Sequence, residues 1–202
     1  VKSFAALSEN LKGQNFSELY DLHLAGALGF SDGNLPISNP DLLKRALLYA
    51  KTFQGKIIVY PSDARISHNG MMHEGVSSTM LGLKSNPSLS EEIMIARDIA
   101  IAEYCEASIH FRTISSAGSV EQIKRAKKRG VAVTCDVAIA NLLWNDTALE
   151  EFDSNYKVTP PLRSEKDRKA LIKGINDGTI DIVVSNHNPQ NIEEKHCEFD
   201  LA

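Results

Sequence analysis

Several things are scarce in this 202-residue chain, and each scarcity narrows what it can be. No apolar run reaches the ~18 residues that a membrane span requires, and no signal peptide is visible at the start. The chain is also short of net charge. Its 22 basic residues are outweighed by 26 acidic ones, for a formal charge of −4. That argues against a nucleic-acid binder, which usually shows a basic stripe. Cysteine is limited to Cys105, Cys135 and Cys197, an odd number at wide spacing. They form neither a disulfide framework nor a metal knuckle, which points to a reducing cytoplasm. The chain opens on Val1 rather than on methionine, so the natural N-terminus is expected upstream.

What is present is an alternation of apolar runs with helical periods, the pattern of a parallel α/β sheet. At 202 residues the chain can bury one sizeable core. Val1 to Ala5 reads as a short opening strand. Asn15 to Ala25 reads as a helix feeding a strand at Gly26 to Phe30, and Ser31 to Asn34 as a turn. Asn39 is placed to cap a helix with Pro40 at its first position. Leu43, Leu47 and Ala50 share one face of that helix, which is expected to run to about Phe53. Lys56 to Tyr60 is the next strand. Pro61 to Pro87, rich in Gly and Ser, reads as a long irregular connection.

Ser88 and Glu91 have the spacing of a capping box. The helix that follows turns Ile95, Ile99 and Ala102 inward. Ala107 to Arg112 is a strand and Ser119 to Arg129 a helix, with Val120, Ile123 and Ala126 apolar and Gly130 as its stop. The basic run from Lys124 to Arg129 is the solvated face of that helix. Val131 to Cys135 is another strand, and Tyr156 to Thr159 a short one before Pro160-Pro161. Ser164 with Asp167 opens a last helix that ends at Gly178.

The chain is organised around the stretch from Thr179 to Lys195. Ile180 to Val184 reads as a buried strand ending at Ser185-Asn186-His187. By spacing alone such a triplet is a capped turn or a site. Polar groups just past the end of a buried parallel strand are where α/β barrels keep their chemistry.

The stretch resembles the dihydroorotase signature, in which a strand ends Thr-Asp-His-Ala-Pro-His and a Glu-Glu-Lys follows. Here those slots hold Ser185, Asn186, His187, Asn188, Pro189 and Gln190, then Glu193-Glu194-Lys195. Further segments are similar in order: Gly75 to Leu83, Ser115 to Glu121, Lys157 to Arg163, and Asp177-Gly-Thr-Ile-Asp181. The resemblance implies a (β/α)8 TIM-type barrel of the amidohydrolase kind. Residues 1–202 would supply its second to eighth strands. The first strand and part of a small flanking β-domain would lie before Val1, and the rest of that domain beyond Ala202.

In the family, two zinc ions held at strand ends make a hydroxide and polarise a ring amide. The matching slots here are altered. Only Asp63 survives after the fourth strand. Thr113 stands for a histidine after the fifth, Ala140 and Asn141 for two histidines after the sixth, and Asn186 for the aspartate after the eighth. A neutral amide is a poor ligand for catalytic zinc and has no proton to exchange near neutral pH. His110, on a strand, reads as a packed or hydrogen-bonded core histidine rather than a ligand. His68, His73 and His187 have no spacing that would rebuild a metal site. Arg112, His187 and Gln190 are candidates to line a pocket at the mouth, where Arg112 could fill the cavity or bind an anion.

Two readings follow. Some relatives that have lost their ligands serve as structural partners of aspartate transcarbamoylase. This chain resembles them, which implies a non-catalytic scaffold in pyrimidine biosynthesis, without cofactor, paired with that enzyme or with a second copy. The other reading is a zinc-dependent cyclic amidohydrolase with rearranged ligands. Neither involves nucleic acid or membrane.

Overall fold

The structure, a computed structural model, describes residues 2–195 and 198–200. Its helices are α1 (Leu19–Leu24), α2 (Pro40–Lys51), α3 (Ala64–Ser67), α4 (Val76–Leu81), α5 (Leu89–Cys105), α6 (Ala117–Lys128), α7 (Ile139–Leu143), α8 (Glu165–Asn176) and α9 (Ile192–Lys195). The strands are β1 (Ile57–Val59), β2 (Met72–His73), β3 (Ser85–Asn86), β4 (Ile109–Phe111), β5 (Val133–Ala138) and β6 (Ile182–Val184). Four of them form a parallel sheet in the order β1-β4-β5-β6, and β2 pairs in parallel with β3. Parallel bridges Ala5↔Phe30 and Phe30↔Ile57 extend the sheet beyond β1. Parallel neighbours joined through helices are the barrel pattern expected from the sequence.

Strand alternation separates two faces. Ile57, Val59, Ile109, Phe111, Val133, Cys135 and Val137 point towards the helices and are buried. There they meet Leu43, Leu47 and Ala50 of α2, Ile95, Ile99 and Ala102 of α5, and Val120, Ile123 and Ala126 of α6. The opposite face carries Ile58, His110 and Thr134 in one register row, with Asp136 further along β5.

Helix ends follow local chemistry. Asn39 accepts from the N–H groups of Asp41 and Leu42, with Pro40 in the first turn, as expected. Ser164 caps α8 through the N–H of Asp167, and Gly178 follows at φ +75°, a value suited to glycine. Ser116 caps α6, which therefore begins at Ala117 rather than Ser119. On the basic run of α6, Lys127 pairs with Asp181 at 2.8 Å and Lys124 with Asp177.

Several expectations are corrected. Pro61 to Pro87 is not irregular: it holds α3, β2, α4 and β3. Met72 seats this segment in a second small core with Leu149 and Leu162. Ser88 is itself helical (φ −59°, ψ −25°) and makes no side-chain cap, because Glu91 is drawn into the protein instead. The two opening strands reduce to the ladder positions Ala5 and Phe30, and the first helix to α1; Val1 lies outside the described residues.

Tyr156 to Thr159 is not a strand. Ser154–Tyr156 is a 3-10 turn, and β5 pairs directly with β6. Pro160 and Pro161 offer no N–H to a ladder, and the carbonyl of Thr159 is taken by the amide of Asn186. Finally, β6 is not buried. It is the sheet's edge among the described residues, and Ile182 and Val183 are 50% and 46% exposed.

Candidate functional site

The C-terminal ends of the parallel strands gather the residues singled out from the sequence. Asp63, after β1, is a helix cap: its Oδ1 accepts from the N–H of Arg65 at 2.8 Å and of Ile66 at 3.1 Å. Thr113, after β4, is buried with φ +48°, a strained conformation for a β-branched residue. Its N–H donates to Asp136 Oδ1 at 2.7 Å. Its hydroxyl is buried without a partner.

Ala140 and Asn141 lie in α7. Asn141 donates through Nδ2 to Pro161 O at 3.0 Å, leaving its own Oδ1 buried and unpartnered. Asn186, after β6, has φ +47°. It donates through Nδ2 to Thr159 O at 2.8 Å, and its Oδ1 faces Arg112 Nη2 at 3.4 Å.

This donor set does not fit a zinc pair. Asp63 is committed to a cap, and Ala140 has no donor atom. Both asparagine amides are held as donors, and the oxygen of one looks at a guanidinium. Zinc takes three or four deprotonated N, S or O ligands. Among the described residues, no group of three His, Cys, Asp or Glu side chains is placed to hold a metal ion. His68 sits at the left-handed end of α3 and His73 on β2, and neither lines the cavity reached by His187.

His110 is hydrogen-bonded on its strand, one of the two forms expected of it. Its Nε2 lies 2.9 Å from Asp136 Oδ2 and its Nδ1 2.8 Å from Thr134 Oγ1. With the Thr113 N–H on the other carboxylate oxygen, Asp136 ties β4 to β5 just below the mouth. Strand alternation puts His110, Thr134 and Asp136 on one face. The sequence alone could not show that β4 and β5 align Thr134 with His110.

Above the strand ends lies an open cavity of about 950 Å³. Asn141, Trp144, Asn186, His187 and Gln190 contribute to its wall. His187 and Gln190, both singled out as pocket candidates, lie on this one wall. Arg112 does not line the wall, but stands behind Asn186.

A buried polar knot supports this mouth, and sequence reasoning missed it. Glu91 accepts from the Ser115 N–H at 2.9 Å, the Ser116 N–H at 3.1 Å and the Ser115 hydroxyl. Arg163 donates through Nε to Ser115 Oγ at 3.0 Å and through Nη1 to Asn86 O. Asp167 accepts from the Ala117 N–H at 2.8 Å. The Ser115 to Glu121 and Lys157 to Arg163 segments meet here. A buried acid and a buried arginine in separate helical and loop segments were the only available signal.

Burial, then Glu91, pushes the Tyr60 phenol above its ordinary range, so it remains a neutral donor. Burial, then the Arg163 guanidinium, holds the His73 imidazole below its ordinary range.

No family model matches the chain. Its 202 residues are 45% identical to a protein named dihydroorotase from Ruminiclostridium cellulolyticum and 43% identical to one from Acetivibrio thermocellus. Each match covers 100% of this chain and 47% of the relative, so the chain spans about half the length of the curated relatives it matches. Among solved structures, the L-hydantoinase (dihydropyrimidinase) of Arthrobacter aurescens is similar at a TM-score of 0.76 and 21% identity, over 96% of this chain and 45% of that one. The dihydropyrimidinase of Brevibacillus agri NCHU1002 is similar at 0.74 and 20%, over 90% and 42%. These likenesses establish the TIM-barrel fold.

Proposed function

Because the chain belongs to the dihydroorotase family by homology along all 202 residues, we propose that it is a dihydroorotase-like protein of pyrimidine biosynthesis whose barrel no longer hydrolyses. Residues 1–202 form most of one barrel in this reading. The barrel acts as a structural partner for aspartate transcarbamoylase or for a second copy of itself.

One observation carries the proposal. At the slot where the family has an acidic ligand and proton carrier, Asn186 donates to Thr159 O and turns its oxygen to Arg112. A hydroxide-generating metal centre needs a carboxylate at that position, as ligand and as proton carrier, and a neutral amide can exchange no proton. Here a guanidinium occupies the facing side. The contrast with the intact motifs supports the scaffold role. Asp177 accepts from the Thr179 N–H and hydroxyl, and Asp181 accepts from the Cys135 N–H at 2.9 Å. Glu91 and Arg163 complete a frame that holds strand ends whether or not chemistry occurs there.

A cytoplasmic location belongs to the same reading. It is supported by free, buried Cys105 and Cys135; Cys197 lies outside the described residues. No helix among the described residues is long and apolar enough to cross a membrane.

The test is metal analysis of the purified protein together with an assay of dihydroorotate hydrolysis. Less than stoichiometric zinc and no turnover are expected. Light scattering with and without the transcarbamoylase should then show a complex or a self-assembly. Two tightly held zinc ions with turnover would establish instead the amidohydrolase with rearranged ligands.

A further inference from the structure

Arg112 is a half-buried guanidinium in no ion pair among the described residues. Its one hydrogen bond there is the long contact to the neutral amide of Asn186. An arginine carries five donors in a fixed fork and suits a carboxylate or phosphate. Leaving such a group under-bonded in a partly buried place is unfavourable.

Its surroundings are under-bonded in the same way. Tyr60 directly follows β1, the strand paired with β4, and is 7% exposed. Its hydroxyl has no hydrogen bond among the described residues, and it lies within electrostatic reach of Arg112. Thr113, next to Arg112, has its buried hydroxyl unpartnered.

The carboxylates nearby are already committed. Glu91 is held by Ser115 and Ser116, and Asp136 by His110 and the Thr113 N–H. Neither is free to neutralise the guanidinium. Two donors at the ends of paired strands therefore have no acceptor but the neutral amide oxygen of Asn186, a residue that lines an open cavity.

We propose that Arg112 and Tyr60, with Asn186 as the displaceable gate, form an oxyanion site at the barrel mouth for a small carboxylate or phosphate group. The incoming oxygens replace the Asn186 amide oxygen as acceptors for Arg112 and take the Tyr60 hydroxyl as a second donor. The site rests on the non-catalytic reading above, since it gives the emptied mouth a binding role in place of a metal. An occupied mouth then becomes a state that a partner subunit can sense.

The test is calorimetric titration of the whole protein with succinate and, separately, with inorganic phosphate, in low-chloride buffer. Saturable binding of at least one is expected. Succinate alone identifies a carboxylate ligand, and phosphate alone a phosphate ligand. Arg112→Gln should weaken binding about 10- to 100-fold, and Arg112→Lys less, because charge is kept and the fork lost. Tyr60→Phe should weaken it about 3- to 10-fold. The melting temperatures of the unliganded variants serve as folding controls.

No saturable heat with either anion would overturn the proposal, as would equal affinity in a folded Arg112→Gln protein. Turnover of dihydroorotate is read separately on the same preparation. Turnover with Arg112-dependent anion binding would defeat the non-catalytic reading and leave the site standing. Absence of both would do the reverse.

Discussion

Glu91 and Ser115, 24 positions apart in sequence, are bound to each other through both the backbone N–H and the hydroxyl of the serine. Glu91 is 3% exposed, so this carboxylate has exchanged water for fixed donors from the loop after β4. Arg163 completes the arrangement from a third segment by donating to the same serine hydroxyl. Glu91→Ala should therefore strip the loop of its anchor and leave Arg163 buried beside an empty space. Chemical denaturation should show a loss of about 3 kcal/mol or more. A loss below about 0.5 kcal/mol would mean that the knot does not hold the mouth.

Asp98 gives a pH test. It is 1% exposed, one carboxylate oxygen pairs with Arg97 at 2.7 Å, and the other has no partner. Burial raises its pKa from 3.8 to about 6, against the pull of Arg97. Below 3.8 the group is protonated folded or unfolded, and contributes no difference. Between 3.8 and 6 only the unfolded state ionises, so stability falls as pH rises. Above 6 the full penalty is present, on the order of 3 kcal/mol. Asp98→Asn should thus gain on the parent protein as pH rises from about 4 to 7. Parallel stability curves for the two proteins would refute the buried-acid assignment.

Gly70 tests the strand pairing within the segment from Pro61 to Pro87. A Cβ there would stand 2.0 Å from Ser85 O and 2.6 Å from the N of Asn86, both backbone atoms that cannot swing aside. Gly70→Ala should push β2 from β3 and destabilise by about 1–3 kcal/mol. Faster proteolysis between Pro61 and Pro87 is the most direct readout. Unchanged stability and protease resistance would argue against the β2-β3 pairing.

Asn186→Asp restores the family's residue at one slot. The new carboxylate faces Arg112 and forms an ion pair, while the donor to Thr159 O is lost. Zinc binding and hydrolysis are not expected of this variant, since Thr113, Ala140 and Asn141 still supply no ligand set. A rate approaching an ordinary enzyme's, about 1–10³ per second, would show that other residues had taken over the metal.

The periodic parts of the fold were legible because they depend on neighbours in sequence. Asn39-Pro40 announces α2, Ser164 announces α8, and the inward rows of α5 and α6 follow a 3.6-residue period. What Thr113, Ala140, Asn141 and Asn186 can offer chemically is legible for another reason. Residue identity alone states whether a lone pair or a proton is available, wherever the side chain ends up.

Tertiary structure decided whatever depends on partners distant in sequence. Ser88 and Glu91 have the spacing of a cap, yet Glu91 turns away to Ser115 because a buried carboxylate gains more from several fixed donors than from one exposed helix end. Tyr156 to Thr159 has strand-like residues, yet leaves the sheet, with two prolines following and its last carbonyl taken by Asn186. The alignment of His110 with Thr134, and of Arg112 with Asn186 across 74 positions, exists only once β4, β5 and β6 are in register. Chemical capacity is carried by each residue alone, whereas the company it keeps is set by how the strands pair.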